Sequence, residues 1–152
     1  MMETIRKAEV REALAIKKLV DGFTELNMIP RPLSYIYENI RDFFVCEKDD
    51  CIIGCCALHV MWDDLAEVKS LAVETESFRQ GVGSILVKSC LEEAKTMGVP
   101  RVFTLTDKPE FFEKQGFRLI DKNELPRKIW GECMECVKYP DCCEEALIID
   151  LE

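Results

Sequence analysis

The sequence has little of several features that define other classes of protein. Its 152 residues include a single histidine, 7 glycines and 6 prolines, and contain no Gly/Ser-rich linker or internal repeat. No apolar run approaches the roughly 20 residues of a membrane-spanning helix, because the longest, Cys51 to Trp62, is far shorter. The N-terminus also lacks the apolar core of a signal peptide. We therefore expect a single cytoplasmic domain over residues 1–152.

Basic residues are also in short supply. Lysine and arginine number 20 against 29 aspartates and glutamates, which gives a net charge of -9. Such a surface repels the phosphates of nucleic acids and anionic lipids, so we predict neither a nucleic-acid nor a membrane partner. The remaining composition, 48% hydrophobic and 32% charged, is typical of a globular protein with a sizeable core.

Cysteine is abundant, with 9 residues. An odd number without an export signal favours free thiols in a reducing compartment. Cys133, Cys136, Cys142 and Cys143 lie together in a cysteine-rich segment at 125–145. Free thiols, a structural metal and a redox-sensitive pair are the alternatives there. Because adjacent cysteines rarely reach one ion together, no metal is predicted.

The periodicity of apolar residues predicts an α/β protein. The predicted strands cover 4–8, 43–47, 51–62, 65–73, 101–106, 116–120 and 146–151. The predicted helices cover 9–27, 34–40 with Ser34 as the N-cap, 82–97 and 109–115. This order predicts a mixed, partly antiparallel sheet with helices on both faces.

The turn between strand 65–73 and helix 82–97 carries the clearest functional signal. Gly81 and Gly83 lie where the helix begins, and its free amides and dipole favour an anion there. Glycines at this place let a phosphate approach the backbone closely. A dinucleotide fingerprint is excluded because Ser84 and Ile85 replace its third glycine, and no Gly-Lys-Ser/Thr follows to make a P-loop.

Two further segments, Glu67 to Val73 and Phe111 to Phe117, accompany this turn in the same order. Together the three resemble the GNAT superfamily of acetyl-CoA-dependent N-acetyltransferases. The resemblance implies the GNAT fold, acetyl-CoA as co-substrate and a small-molecule amine as its partner. The residues that it assigns to acetyl-CoA are Leu71, Ala72, Val73, Arg79, Gln80, Gly81, Val82, Gly83, Ser84, Phe111 and Phe112.

The chain departs from the GNAT pattern at two places. Phe78 stands where the family usually carries Arg or Gln three residues before Gly81, so Arg79 and the backbone amides must hold the pyrophosphate. Phe112 replaces the family's tyrosine, whose hydroxyl protonates the departing thiolate. A thiol pKa near 8.5 makes that proton only modestly useful, so the loss is tolerable. Thr106 is the candidate donor, with a role as a turn cap as the alternative.

A narrower similarity, over Ile53 to Leu58 and Ala66 to Val68, is to the acetyltransferase domain of N-acetylglutamate synthases in its stand-alone form. It implies that Glu67 is the general base, acting through a water, on the amine of an amino acid such as glutamate. It also implies that Arg31 binds the substrate carboxylate, for which a guanidinium is suited.

Other functions stay open from the sequence. The acidic surface suits a polyamine, an aminoglycoside or a protein N-terminus equally well as the acceptor. A non-catalytic acyl-CoA-binding module is a third reading, and whether the chain forms a homodimer is left open. His59, the lone histidine, lies in an apolar strand, which favours a structural role over a catalytic one.

Overall fold

The structure of the protein is a computed structural model that describes residues 3–22, 32–74, 81–125 and 145–151. Within these ranges seven strands form one sheet in the order β1-β2-β3-β4-β5-β7-β6. The strands are β1 Thr4–Lys7, β2 Phe43–Lys48, β3 Cys51–Trp62, β4 Leu65–Val73, β5 Arg101–Thr106, β6 Arg118–Ile120 and β7 Glu145–Asp150. Neighbouring strands are antiparallel except β4 and β5, which are parallel. The prediction of a mixed sheet is confirmed.

Helices cover both faces of this sheet, as predicted. They are α1 Ala13–Asp21, α2 Leu33–Glu38, α3 Val82–Met97 and α4 Pro109–Lys114. On one face, Leu86 of α3 and Phe112 of α4 join a core cluster with Val68 of β4. On the other face, Ile16 of α1 and Ile36 of α2 form a second cluster. Each such side chain contributes about 1.5–3 kcal/mol by leaving water.

The first helix begins later than predicted. A 3-10 turn at Val10–Glu12 precedes α1, which starts at Ala13 rather than at Glu9. The reason is a capping box, in which the Glu9 amide donates to Oε1 of Glu12 at 2.7 Å. The predicted extension of this helix over 23–27 lies outside the described residues.

Most other boundaries that differ from the predictions do so by one or two residues, and two of them have a clear physical reason. Ser34 is not an N-cap, because α2 begins one residue earlier, and the Pro32 carbonyl accepts the first helical hydrogen bond, from Tyr35 at 3.0 Å. The strand predicted from 116 begins at Arg118, because Gly116 has φ 102° and closes α4. Its left-handed conformation is a common helix ending that few other residues adopt without strain.

The described helices include none that is both long enough and apolar enough to cross a bilayer.

Several cysteines fill the core between the sheet and its helices. Cys55 is fully buried, and burial raises the pKa of its thiol to about 12. Cys56 and Cys90 are equally buried, so these side chains pack as small apolar groups.

Candidate active site

The site lies where β4 and β5 separate. Pairing between the two strands covers only Ala66 with Val102 and Glu67 with Phe103. One residue further on, the buried hydroxyl of Thr104 donates to the Val68 carbonyl at 2.9 Å. Beyond that bond the strands continue without pairing to each other. The sheet is therefore open at the carboxyl ends of two parallel strands, where ligands of α/β sheets bind.

An extra residue in β4 lies beside this opening. Cys55 of β3 lies opposite Ala72. Two residues further along β3, Ala57 lies opposite Lys69, so β4 spends three residues against two of β3. Ser70 has φ 56°, in the left-handed region. This is the geometry of a β-bulge, which bends a strand and interrupts its pairing.

The bulge changes which side chains of β4 face α3. Ala66 and Val68 belong to the cluster beneath α3 before the bulge. Leu71 and Val73 contact the same cluster after it, although an unbroken strand would present even-numbered residues there. Ser70 thus shifts the alternation of side chains between the two faces by one residue. The backbone of residues 71–73, after the bulge, borders the opening.

The first turn of α3 supplies free backbone donors. Gly81 is its N-cap, with φ 77° and no side-chain cap, and the first helical bond runs from the Ile85 amide to the Gly81 carbonyl at 3.1 Å. The amides of Val82, Gly83 and Ser84 therefore have no partner within the helix. A Cβ at position 81 would meet no atom of the described residues within 4 Å. Such a helix start suits a phosphate group.

The α4 segment adjoins this turn. A Cβ on Gly83 would lie 3.4 Å from Cζ of Phe111 and 3.9 Å from a methyl of Val73. Nε2 of Gln115 donates to the Ser84 hydroxyl at 2.9 Å, which ties α4 to α3. The structure thus brings together these members of the predicted acetyl-CoA set. The Phe111 ring and the Val73 side chain therefore lie within van der Waals reach of the Gly83 backbone.

The two phenylalanines of α4 have different environments. Phe112 is buried and packs edge-on against Phe117, with ring centroids 5.4 Å apart. Phe111 is only partly buried and lies at the first turn of α3. Of the pair, Phe111 is therefore the ring that borders the opening.

Glu67 and Thr106 lie on either side of the opening. Glu67 is 6% exposed and shares its face of β4 with Lys69, whose Nζ lies 5.3 Å from the Tyr35 ring of α2. Phe103 pairs with Glu67, and its side chain lies on the same face of the sheet. Because side chains alternate along a strand, the side chain of Thr106, three residues further on, lies on the opposite face, toward α3. The Thr106 hydroxyl accepts a hydrogen bond from the Lys108 amide at 2.9 Å and can still donate its proton.

His59 has a carboxylate partner that sequence reasoning missed. Its Nδ1 is hydrogen-bonded to Oδ2 of Asp42 at 2.6 Å, and His59 lies directly opposite Glu67 in the β3–β4 register. Asp42 ends a 3-10 helix at Ile40–Asp42 and is 17 positions from His59, so no local pattern could have paired them.

Some predicted residues lie outside the described ranges. They are Arg31, Arg79, Gln80, Cys133, Cys136, Cys142 and Cys143. Within the described ranges no group of three or more His, Cys, Asp or Glu side chains is arranged to hold a metal ion.

Comparison with known proteins identifies the class of this fold and site. Residues 13–117 match the acetyltransferase (GNAT) family model. The chain belongs to the GNAT family of acetyltransferases. The predicted N-acetyltransferase activity with acetyl-CoA as donor is confirmed, and so is the predicted GNAT fold.

Two relatives in sequence cover most of the chain. An N-acetyltransferase of Chlorobaculum tepidum, itself uncharacterised, is 38% identical over 145 residues, which are 95% of this chain and 94% of the relative. An amino-acid acetyltransferase of Mycobacterium tuberculosis is 34% identical over 131 residues, covering 84% of this chain and 75% of that protein.

Two solved structures are similar in fold. A Mycobacterium tuberculosis protein in complex with CoA and NLQ superimposes with a TM-score of 0.84 at 28% identity, over 98% of this chain and 99% of that one. N-acetylglutamate synthase of Neisseria gonorrhoeae, complexed with coenzyme A and N-acetyl-glutamate, gives 0.90 at 25% identity. That match covers 100% of this chain and 36% of the synthase. The predicted similarity to the acetyltransferase domain of these synthases is confirmed.

Proposed function

We propose that this enzyme acetylates the α-amine of an amino acid such as glutamate, as a step of amino-acid biosynthesis in the cytoplasm. The observation that carries the proposal is the opening between β4 and β5, with the free amides of α3 at one end and buried Glu67 on the far face. The amino-acid acetyltransferase relative and the N-acetylglutamate synthase neighbour support the acceptor class.

A single domain over residues 1–152, including the cysteine-rich segment at 125–145, is part of the same proposal. The described cysteines all carry free thiols, which supports a reducing compartment such as the cytoplasm. These cysteines are Cys46, Cys51, Cys55, Cys56 and Cys90.

The acetyl donor is bound by backbone groups in this scheme. The amides of Val82, Gly83 and Ser84, with Arg79 and Gln80 before them, hold the pyrophosphate at the positive end of the α3 dipole. The backbone of Leu71, Ala72 and Val73 borders the pantetheine arm, because the bulge and the missing β5 partner leave it open. Phe111 closes the opposite side.

Glu67 removes the proton from the substrate amine. The acceptor arrives as an ammonium ion, which has no lone pair for attack on the thioester. A buried carboxylate on the α1/α2 face accepts that proton through a water. An amide donor in 71–73 stabilises the oxyanion of the tetrahedral intermediate.

Thr106 and Arg31 complete the proposed site. Thr106 lies toward α3, on the side opposite the base, where its hydroxyl passes a proton to the leaving thiolate and regains one from the second proton that the amine nitrogen loses. Arg31, which lies outside the described residues, binds the substrate carboxylate in this scheme, for which a bidentate guanidinium is suited.

Substitution of Glu67 by glutamine tests the assignment of the base. We expect kcat, measured as thiol release from acetyl-CoA with glutamate, to fall about 10²- to 10⁴-fold, the usual contribution of a general base. The KM for acetyl-CoA should stay within about threefold, because the α3 turn is untouched. Glu92→Gln, an exposed change on α3, is the matched control. Unchanged kcat in Glu67→Gln would refute the assignment.

A second acceptor class is favoured by the net charge of -9, which attracts cations. A panel of glutamate, glutamine, other amino acids and spermidine separates the two classes. Turnover with spermidine alone would replace the amino-acid proposal and leave the enzyme class unchanged.

A further inference from the structure

A carboxylate–imidazole pair borders the proposed base. His59 Nδ1 lies 2.6 Å from Oδ2 of Asp42, and both side chains keep partial solvent contact, with exposed fractions of 33% and 25%. Glu67 lies across the strand pair from His59, so their Cβ atoms are about 5 Å apart. Both side chains are on the α1/α2 face of the sheet, because Ala57 on β3 and Lys69 on β4 also lie there.

The Asp42 carboxylate fixes the state of the imidazole. An ionised carboxylate only accepts hydrogen bonds, so Nδ1 is the donor. The neutral ring then keeps its lone pair on Nε2, which is the nitrogen able to accept a proton. The carboxylate also stabilises the imidazolium that results. His59 is thus built as a proton acceptor beside a more deeply buried carboxylate.

The reaction needs such a group because it releases a proton. An ammonium ion and a thioester give an amide and a thiol, and one proton remains on the base after each turnover. Glu67 is only 6% exposed, so its own path to water is narrow. His59 lies beside it and reaches solvent.

We propose that His59, oriented by Asp42, carries the proton from Glu67 to solvent between turnovers. In this sequence the N–H bond of the substrate breaks as an O–H bond forms on the intervening water, which gives one of its own protons to Glu67. The O–H bond on Glu67 then breaks as N–H forms at Nε2 of His59, and the imidazolium gives its proton to water. His59 touches no reacting atom and acts through Glu67. The inference rests on the proposed function of Glu67.

The charges around the imidazole agree with this role. Asp42 faces it from the 3-10 helix, Glu67 lies opposite on β4, and Lys69 lies two residues further along the same face. The Lys69 ammonium lies 5.3 Å from the centroid of the Tyr35 ring.

Chemical rescue distinguishes a proton carrier from a structural histidine. We expect His59→Ala to lower kcat about ten- to a hundredfold in a weakly buffering medium, and added imidazole to restore most of it. The fraction of kcat that is restored should rise with the basicity of the substituted imidazole that is added. A structural role would leave the loss unchanged by imidazole. A kcat within twofold of the native value, or a loss that imidazole does not relieve, overturns the proposal.

Further variants keep the test decisive. Asp42→Asn retains the ring but removes the carboxylate, so we expect a smaller loss of kcat that imidazole also relieves. It serves as the test if His59→Ala does not fold, and full activity in Asp42→Asn would then overturn the proposal. Val60→Thr, an exposed neighbour on the opposite face of β3, is the control for disturbing the strand. If the native protein turns over none of the amines, the proposed function fails. If the native protein is active and the His59 substitution leaves kcat unchanged, only the relay is refuted.

Discussion

Gly81 holds a backbone conformation that few other residues tolerate. Its φ of 77° lies in the left-handed region, where a side chain costs roughly 1–2 kcal/mol. Among the residues that the structure describes, a Cβ there would nevertheless meet no atom within 4 Å. A side chain at position 81 is therefore disfavoured by backbone strain and not by a steric clash with these residues.

Replacing Gly81 by alanine tests that reading. We expect the free energy of unfolding, from urea denaturation, to fall by about 1 kcal/mol. The KM for acetyl-CoA should rise several-fold as relief of the strain tilts the amides of 82–84. Gly22→Ala is the control, because Gly22 has φ -61° and should lose no stability. Equal stability and KM in Gly81→Ala would show that the turn does not depend on this conformation.

At the scale of an element, β4 shows how one residue changes which face of the sheet a strand's side chains lie on. The bulge at Ser70 rotates the side chains of 71–73 relative to those of 66–68, so the strand serves two environments. Ser70 has φ 56°, a conformation that is strained for serine. Glycine would not be strained there, and a β-branched residue would be strained more.

A comparison of substitutions at Ser70 measures this strain. We expect Ser70→Val to reduce the free energy of unfolding by about 1–2 kcal/mol, whereas Ser70→Gly should match or exceed the native stability. Thermal and urea denaturation give the order. If valine is accepted as well as glycine, the left-handed conformation at Ser70 is not required for the fold.

The sequence predicted elements where their ends carry a local signal. The bounds of β3, β4, β5 and α3 are as predicted, because paired aspartates and Gly98 interrupt the apolar pattern cleanly. The bulge was not predicted, since serine is no marker of positive φ. The Asp42–His59 bond was also missed, because it depends on how two distant segments meet.

Across the whole molecule, one ion network joins the first strand to its neighbours. The guanidinium of Arg6 on β1 donates to Glu12 before α1 at 2.5 Å and to Glu47 on β2 at 3.0 Å. Hydrogen bonding from Arg6 lowers the pKa of the Glu12 carboxyl, and partial burial opposes that shift without cancelling it. The Glu12 carboxyl therefore binds a proton more weakly in the folded protein than in the unfolded chain.

The stability of the protein should depend on pH through Glu12. A carboxyl with a lowered folded pKa contributes stability above its usual range, and that contribution is lost as pH falls through the folded pKa. We expect Glu12→Gln to cost about 1–3 kcal/mol at pH 7 and progressively less toward pH 3. Urea denaturation across this range measures the difference. Glu92→Gln should follow the native curve, and a constant deficit in Glu12→Gln would contradict the assignment.

The strand order sets a constraint on biosynthesis. β7, at Glu145–Asp150, inserts between β5 and β6 and pairs with both. A nascent chain still on the ribosome without these residues leaves the outer side of β5 unpaired, and unpaired strand edges invite aggregation. The pairing of β5 and β6 with β7 therefore forms only after residues 145–150 have been translated and have left the ribosomal exit tunnel.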